Sequence, residues 1–147
     1  MLCSLLYYEN LVWYNKTHSA IVDWEADWKI SDKPAYLFIE DILHLLTDDR
    51  LETVSLSDIA WKGKHKPSLV QQGIRYRHAD PYIPGILAFN APNPYNDKYR
   101  MIDGKHRIHK LFSENVKESE FYVLDFEKLI PLFVNESEKN VRQKSYR

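Results

Sequence analysis

At 147 residues and a net charge of −1, with 44% hydrophobic and 28% charged residues, the chain has the balance of one soluble globular domain. No apolar run approaches the roughly 18 residues that a membrane helix needs, so no membrane partner is expected. A single cysteine, Cys3, excludes an internal disulfide and a cysteine-based zinc site. With no basic lead-in before Met1-Leu2-Cys3-Ser4-Leu5-Leu6 and Glu9 interrupting it, no signal peptide is expected either, and the location implied is cytoplasmic. The small net charge hides a segregation. Residues 1–60 carry 4 Lys/Arg against 11 Asp/Glu, residues 61–110 carry 10 against 3, and residues 111–147 carry 6 against 7. No acid falls between Asp58 and Asp80, where Lys62, Lys64, Lys66, Arg75 and Arg77 gather. That pattern points to a polyanionic or phosphorylated ligand for the middle of the chain, or else to a solvated basic loop.

The first thirty residues are aromatic and irregular, with Trp13, Trp24 and Trp28 among polar neighbours, and show no firm periodicity. Ser31-Asp32-Lys33-Pro34 reads as a helix start, with a capping side chain and proline in the first turn. Leu37, Phe38, Ile42, Leu45 and Leu46 follow at helical spacing, and that helix is expected to end near Thr47-Asp48-Asp49. Val54 and Leu56 alternate with polar residues and predict a short strand around 53–56, extending toward Ile59. The basic stretch from Trp61 to His78 contains Gly63, Pro67 and Gly73 and reads as a loop with one helical turn near 68–72. An apolar run from Ile83 to Phe89 reads as a buried strand, Asn90 to Asp97 as a turn, and Lys98 to Ile102 as the returning strand of a hairpin. Gly104 to Asn115 is then a helix whose inner stripe is Ile108, Leu111 and Phe112. Phe121 to Phe126 is a further strand, followed by a helical piece at 127–133 and a polar, frayed end.

Asp103-Gly104-Lys105-His106-Arg107 therefore sits between a strand and a helix, with three potential cations in the first helical turn. A helix N-terminus is the positive end of the dipole, so each cation there costs about 0.3–1 kcal/mol. An anion held by the free backbone N–H groups would reverse the sign of that effect, and a glycine would let it approach closely. The plainer alternative makes Asp103 a helix cap, Gly104 a tight turn, and Arg107 the partner of a nearby acid. His106 and His109, spaced i and i+3 with Asp103 close by, form an incomplete metal-ligand set. His65 and His78 flank the basic loop and titrate near neutrality, as acid–base candidates or as ordinary surface residues.

The run Tyr99-Arg100-Met101-Ile102-Asp103-Gly104-Lys105-His106-Arg107-Ile108-His109-Lys110-Leu111 resembles the Asp-Gly-X-His-Arg segment of the ParB/sulfiredoxin superfamily, and the order of strands around it agrees over residues 53–133. The resemblance implies an α+β fold: a small mixed sheet with flanking helices. Residues 1–52 would be an aromatic, acidic amino-terminal extension with one helix packed on the core, 53–135 the family domain, and 136–147 a polar tail. It further implies a nucleotide (ATP, ADP or CTP), with magnesium as a companion ion, or a nucleic-acid phosphate, bound at the start of the helix. Gly104, Lys105 and His106 would offer backbone N–H groups. His106 and Arg107 would add side-chain contacts, and Asp103 would orient Arg107 or the loop, or bind hydrated magnesium. Asp103, His106 and Arg107 are the catalytic candidates, and Lys64, Arg75 and Arg77 supply further phosphate contacts.

Sulfiredoxins need a cysteine where this chain has Lys105, which argues against sulfinate repair. Too few residues follow the motif for the helix-turn-helix of chromosome-partition proteins. Two catalytic branches stay open. ParB-like serine kinases transfer phosphate to a small hydroxyl compound, although no clear match to their catalytic glutamate is present. ParB-like nucleases cleave phosphodiesters, and the basic segment favours them. The alternative is a non-catalytic module that senses nucleotide or mediates a protein contact.

Overall fold

The computed structural model describes residues 35–61, 64–65 and 80–145. A five-stranded mixed sheet runs in the order β1-β5-β3-β4-β2, from β1 (Leu51–Ser55), β2 (Ile59–Ala60), β3 (Gly85–Phe89), β4 (Tyr99–Asp103) and β5 (Glu118–Asp125). β1 pairs antiparallel with β5, and β3 antiparallel with β4, while β3–β5 and β2–β4 are parallel. Three helices accompany it: α1 (Lys105–Ser113), α2 (Phe126–Leu129) and α3 (Glu136–Ser145). The fold class is thus α+β with a mixed sheet.

The inner strands are buried on both faces, which is why Ile86-Leu87-Ala88 and Phe121-Tyr122-Val123-Leu124 read as unbroken apolar runs. Alternation divides their side chains between two cores. Ile86, Ala88, Ile102, Tyr122 and Leu124 meet Leu37, Ile39, Ile42, Leu46, Phe126 and Leu129 on one face. On the other, Leu87, Met101, Phe121 and Val123 meet Val54, Leu56, Ile59, Trp61 and the α1 residues Ile108 and Leu111. The sheet twice accepts a left-handed asparagine near its turns, at Asn90 and Asn96, the residue type that tolerates positive φ best after glycine.

Two expectations need correction. The helix expected over 31–47 is absent from its described part. Tyr36 instead exchanges both backbone hydrogen bonds with Val134, and 3-10 turns come next at Ile39–Asp41, Leu43–Leu45 and Asp48–Arg50. The apolar positions fit a helical period, but pairing with Val134 holds Tyr36 to Phe38 extended, and the tighter turns still bury Leu37, Ile39, Ile42 and Leu46. The start signal at 31–34 lies outside the described residues. The expected frayed end is a ten-residue helix, α3, docked by Arg142 on Glu40 and Asp41 at 2.6 Å each. A long-range ion pair of this kind leaves no trace in local sequence. Among the described residues, the elements from β1 to α2 otherwise match the sequence pattern within a few residues, apart from the 3-10 turn Leu56–Asp58 that splits β1 from β2; the helical turn expected near 68–72 lies outside the described residues.

Candidate functional site

Asp103 ends β4 beside a register shift, where β4 advances two residues, from Met101 to Asp103, against one step of β3 from Leu87 to Ile86. Such a bulge turns the strand end and re-aims the residues just beyond it. Gly104 takes φ 119°, which side-chain-bearing residues rarely adopt, and α1 starts at Lys105. The space beside Gly104 is already filled: a Cβ there would lie 3.3 Å from the Gly85 Cα. At Gly85 a Cβ would lie 2.8 Å from the Asp103 carbonyl oxygen. Both glycines therefore answer to close packing of the β3 and β4 ends on each other.

Arg107 is the surprise of the motif. Its residue is buried to 4% exposure, and its guanidinium donates to the Asp103 carboxylate at 2.8 Å. It also donates to the carbonyls of Pro84 at 3.2 Å and Ile83 at 3.4 Å. A planar fork suits one carboxylate and two carbonyls better than an ammonium would. Arg107 thus ties the chain entering β3 to the turn leaving β4, and it neutralises Asp103. Asp103 does not cap α1; that position belongs to Gly104, which has no side chain with which to do so.

Lys105 and His106 fill the rest of the first turn, both half-buried, and no acid stands there. With Asp103 paired to Arg107, the Lys105 ammonium is the other charged side chain of this turn. His109 does not join His106. It is buried, edge-on to Trp61 at a centroid distance of 6.1 Å, and burial pushes its pKa down from the ordinary histidine value. Trp61, 1% exposed, also stacks on Phe112 at 5.9 Å, so Phe112 serves the inner stripe although it stays 39% exposed. The buried histidine–tryptophan packing had no sequence signal beyond the i, i+3 spacing.

Lys64 is placed away from the motif. Its ammonium donates to Asp97 at 2.7 Å and to the Ser57 carbonyl at 3.1 Å, both at the end where β2 and β4 begin. The length of β4 separates it from Asp103, about 15 Å at the usual rise per residue. Arg75, Arg77 and His78 lie outside the described residues. Among the described residues no group of three or more His, Cys, Asp and Glu side chains is placed to hold a metal ion. One Asp103 oxygen accepts from Arg107. No described helix is long and apolar enough to cross a membrane.

Compared with known proteins, the chain matches no family model, no curated protein and no solved structure.

Proposed function

We propose that the chain is a ParB/sulfiredoxin-like protein that binds a nucleotide or nucleic-acid phosphate at the start of α1, with phosphodiester hydrolysis or phosphotransfer as its chemistry. The observation that carries this reading is the first turn of α1: a nine-residue helix, with Gly104 rather than a capping side chain before it, no acid within it, and Lys105 and His106 flanking its positive end. An anion there gains from the helix dipole and from the Lys105 ammonium, and the His106 imidazole can donate a hydrogen bond to it. The inward course of Arg107 narrows the contact set to Lys105, His106 and backbone N–H groups, with Arg107 as the brace that shapes the turn.

A second reading, binding without catalysis, is favoured by Asp103. Its carboxylate is committed to Arg107, so it is poorly set to accept a proton from an attacking hydroxyl. Thermal melts with ATP, ADP, CTP, GTP and a short DNA, each with and without magnesium, test the site. A ligand at 100 times its dissociation constant adds about 2.7 kcal/mol. The expected result is a shift with at least one phosphate ligand that is lost in a Lys105→Ala/His106→Ala double variant whose own melt is otherwise intact. Equal shifts in the variant and the unaltered chain would sink the reading.

A further inference from the structure

β1 stands at one end of the sheet, bonded to β5 on one side and, among the described residues, to no strand on the other. Which of its backbone groups face outward follows from the register. The Leu56 N–H donates to the Lys117 carbonyl at 2.9 Å, one step beyond the last residue pair of the ladder, Ser55 with Glu118. Bonded positions alternate along an antiparallel pair, so Val54 and Glu52 also turn their N–H and C=O groups toward β5. Leu51, Thr53 and Ser55 turn theirs outward. Glu52 and Thr53 are exposed, so water reaches this edge. Side chains alternate in the same way. Leu51 packs on the first core, which places Thr53 and Ser55 on its face, across from Glu120 and Glu118. Both glutamates are exposed, and Glu52 is exposed on the opposite face. The 3-10 turn entering β1 adds exposed Asp48 and Asp49, while Arg50 and Lys117 are the cations next to these acids in sequence.

We propose that the β1 edge is a docking site for a cationic extended peptide, which adds to the sheet as a further strand with lysine or arginine at alternate positions. Strand addition takes its affinity from main-chain hydrogen bonds and its selectivity from alternate side chains. The outward groups of Leu51, Thr53 and Ser55 supply the main-chain bonds, and charge supplies the selectivity. Thr53 and Ser55 are short, so a lysine or arginine laid over them reaches Glu120 and Glu118 on β5, which runs about 10 Å from the added strand. Opposite charges so placed attract across a sheet, and like charges repel. A second copy of this chain in the same place would bring its own Glu52, Glu118 and Glu120 to the seam, so charge favours a cationic partner over self-pairing. β5 and β3 stand between β1 and β4, so this surface is independent of the phosphate site at the start of α1.

Fluorescence anisotropy tests it, with the full chain and a labelled heptapeptide that alternates lysine with threonine and valine. Binding is expected to weaken as salt rises, and the same peptide with glutamate in place of lysine should not bind. A peptide of unchanged charge with proline at its centre should bind at least about fivefold more weakly, having lost a strand donor. Glu118→Gln/Glu120→Gln should weaken the lysine peptide about 2- to 30-fold, the range of two exposed ion pairs. Thr53→Pro removes an outward N–H and spares the bonds to β5, at an edge position where proline is tolerated, and should cost at least about fivefold with its melt retained. Equal affinity for the proline-centred peptide would reduce the contact to charge attraction and overturn strand addition. Equal affinity for the glutamate peptide, or no binding at millimolar lysine peptide, overturns the proposal as well. Self-association of the chain alone, seen by light scattering and lost in Thr53→Pro, would assign the edge to a second copy and overturn the cationic partner.

Discussion

Arg107 decides how the motif is understood at the scale of single residues. As a sequence, Asp103-Gly104-Lys105-His106-Arg107 offers five candidates for one ligand. Folded, it divides into a brace (Asp103, Gly104, Arg107) and a presenting pair (Lys105, His106). The pairing of Asp103 with Arg107 was one of the readings the sequence offered, but the inward turn of Arg107 was not legible, because the carbonyls of Ile83 and Pro84, some twenty residues earlier in the chain, are what draw the guanidinium inward. Arg107→Ala leaves the Asp103 carboxylate and two carbonyls without their donor. Asp103 keeps a quarter of its side chain in water, so the expected loss is about 2–3 kcal/mol, below that of a fully buried pair. A urea titration reads it, and Arg107→Lys should recover less than half, since one ammonium cannot span the three acceptors. His109 makes a pH prediction. Burial lowers its pKa in the folded state below the 6.5 of the free side chain, so the unfolded chain takes up the proton first. Its contribution to stability is complete above pH 6.5 and is lost as the pH falls from there toward the depressed folded value. The urea midpoint should drop between about pH 7.5 and pH 5.5, and drop less in His109→Gln.

Among the elements, α3 shows the clearest tertiary override. Its sequence is polar apart from the exposed Val141, with no apolar stripe to announce a packed helix, and alone it would be marginal at this length. Two cations dock it. Arg142 forks onto Asp41, adds Glu40, and lays its guanidinium 3.9 Å from the centre of the Phe38 ring; Lys139 lies 4.3 Å over Tyr36. The Asp41 and Glu40 carboxylates hold the Arg142 pKa above even its usual high value. The same contact explains why the helix expected across 31–47 gives way to extended chain and 3-10 turns: Tyr36 and Phe38 must reach Val134 and α3 at once. Arg142→Ala should release α3, seen as fast hydrogen exchange of its amides, for a global cost of about 1 kcal/mol because the ion pairs are partly solvated. Unchanged exchange in α3 would show that the helix is held by other means.

At the scale of the whole molecule, the inner sheet was the most legible part. Strands buried on both faces need continuous apolar runs, and 83–89 and 121–126 supply them. Turn residues between 90 and 97 mark the hairpin, and the helix after it carries Ile108 and Leu111 at the right spacing. Strand order, the parallel pairing of β2 with β4, and the bulge at Asp103 depend on contacts far apart in sequence, and no local pattern encodes them. The segregated charge was legible as well; of Lys62, Lys64, Lys66, Arg75 and Arg77, Lys64 falls among the described residues, and it stands away from the motif. Lys64 stands with His65, Tyr95 and Lys98 at one end of β4, and the motif stands at the other. A site drawn from charge alone merges the two ends; the sheet separates them by the length of a strand.

The most direct measurement for the central claim is a 1H–15N NMR titration of the full chain with ATP and magnesium. The backbone amides of Gly104, Lys105, His106 and Arg107 should shift first and furthest, since an anion at the positive end of α1 sits against their N–H groups. Saturating shifts confined to other residues, or none at millimolar nucleotide, would contradict the assignment of the phosphate site to the start of α1.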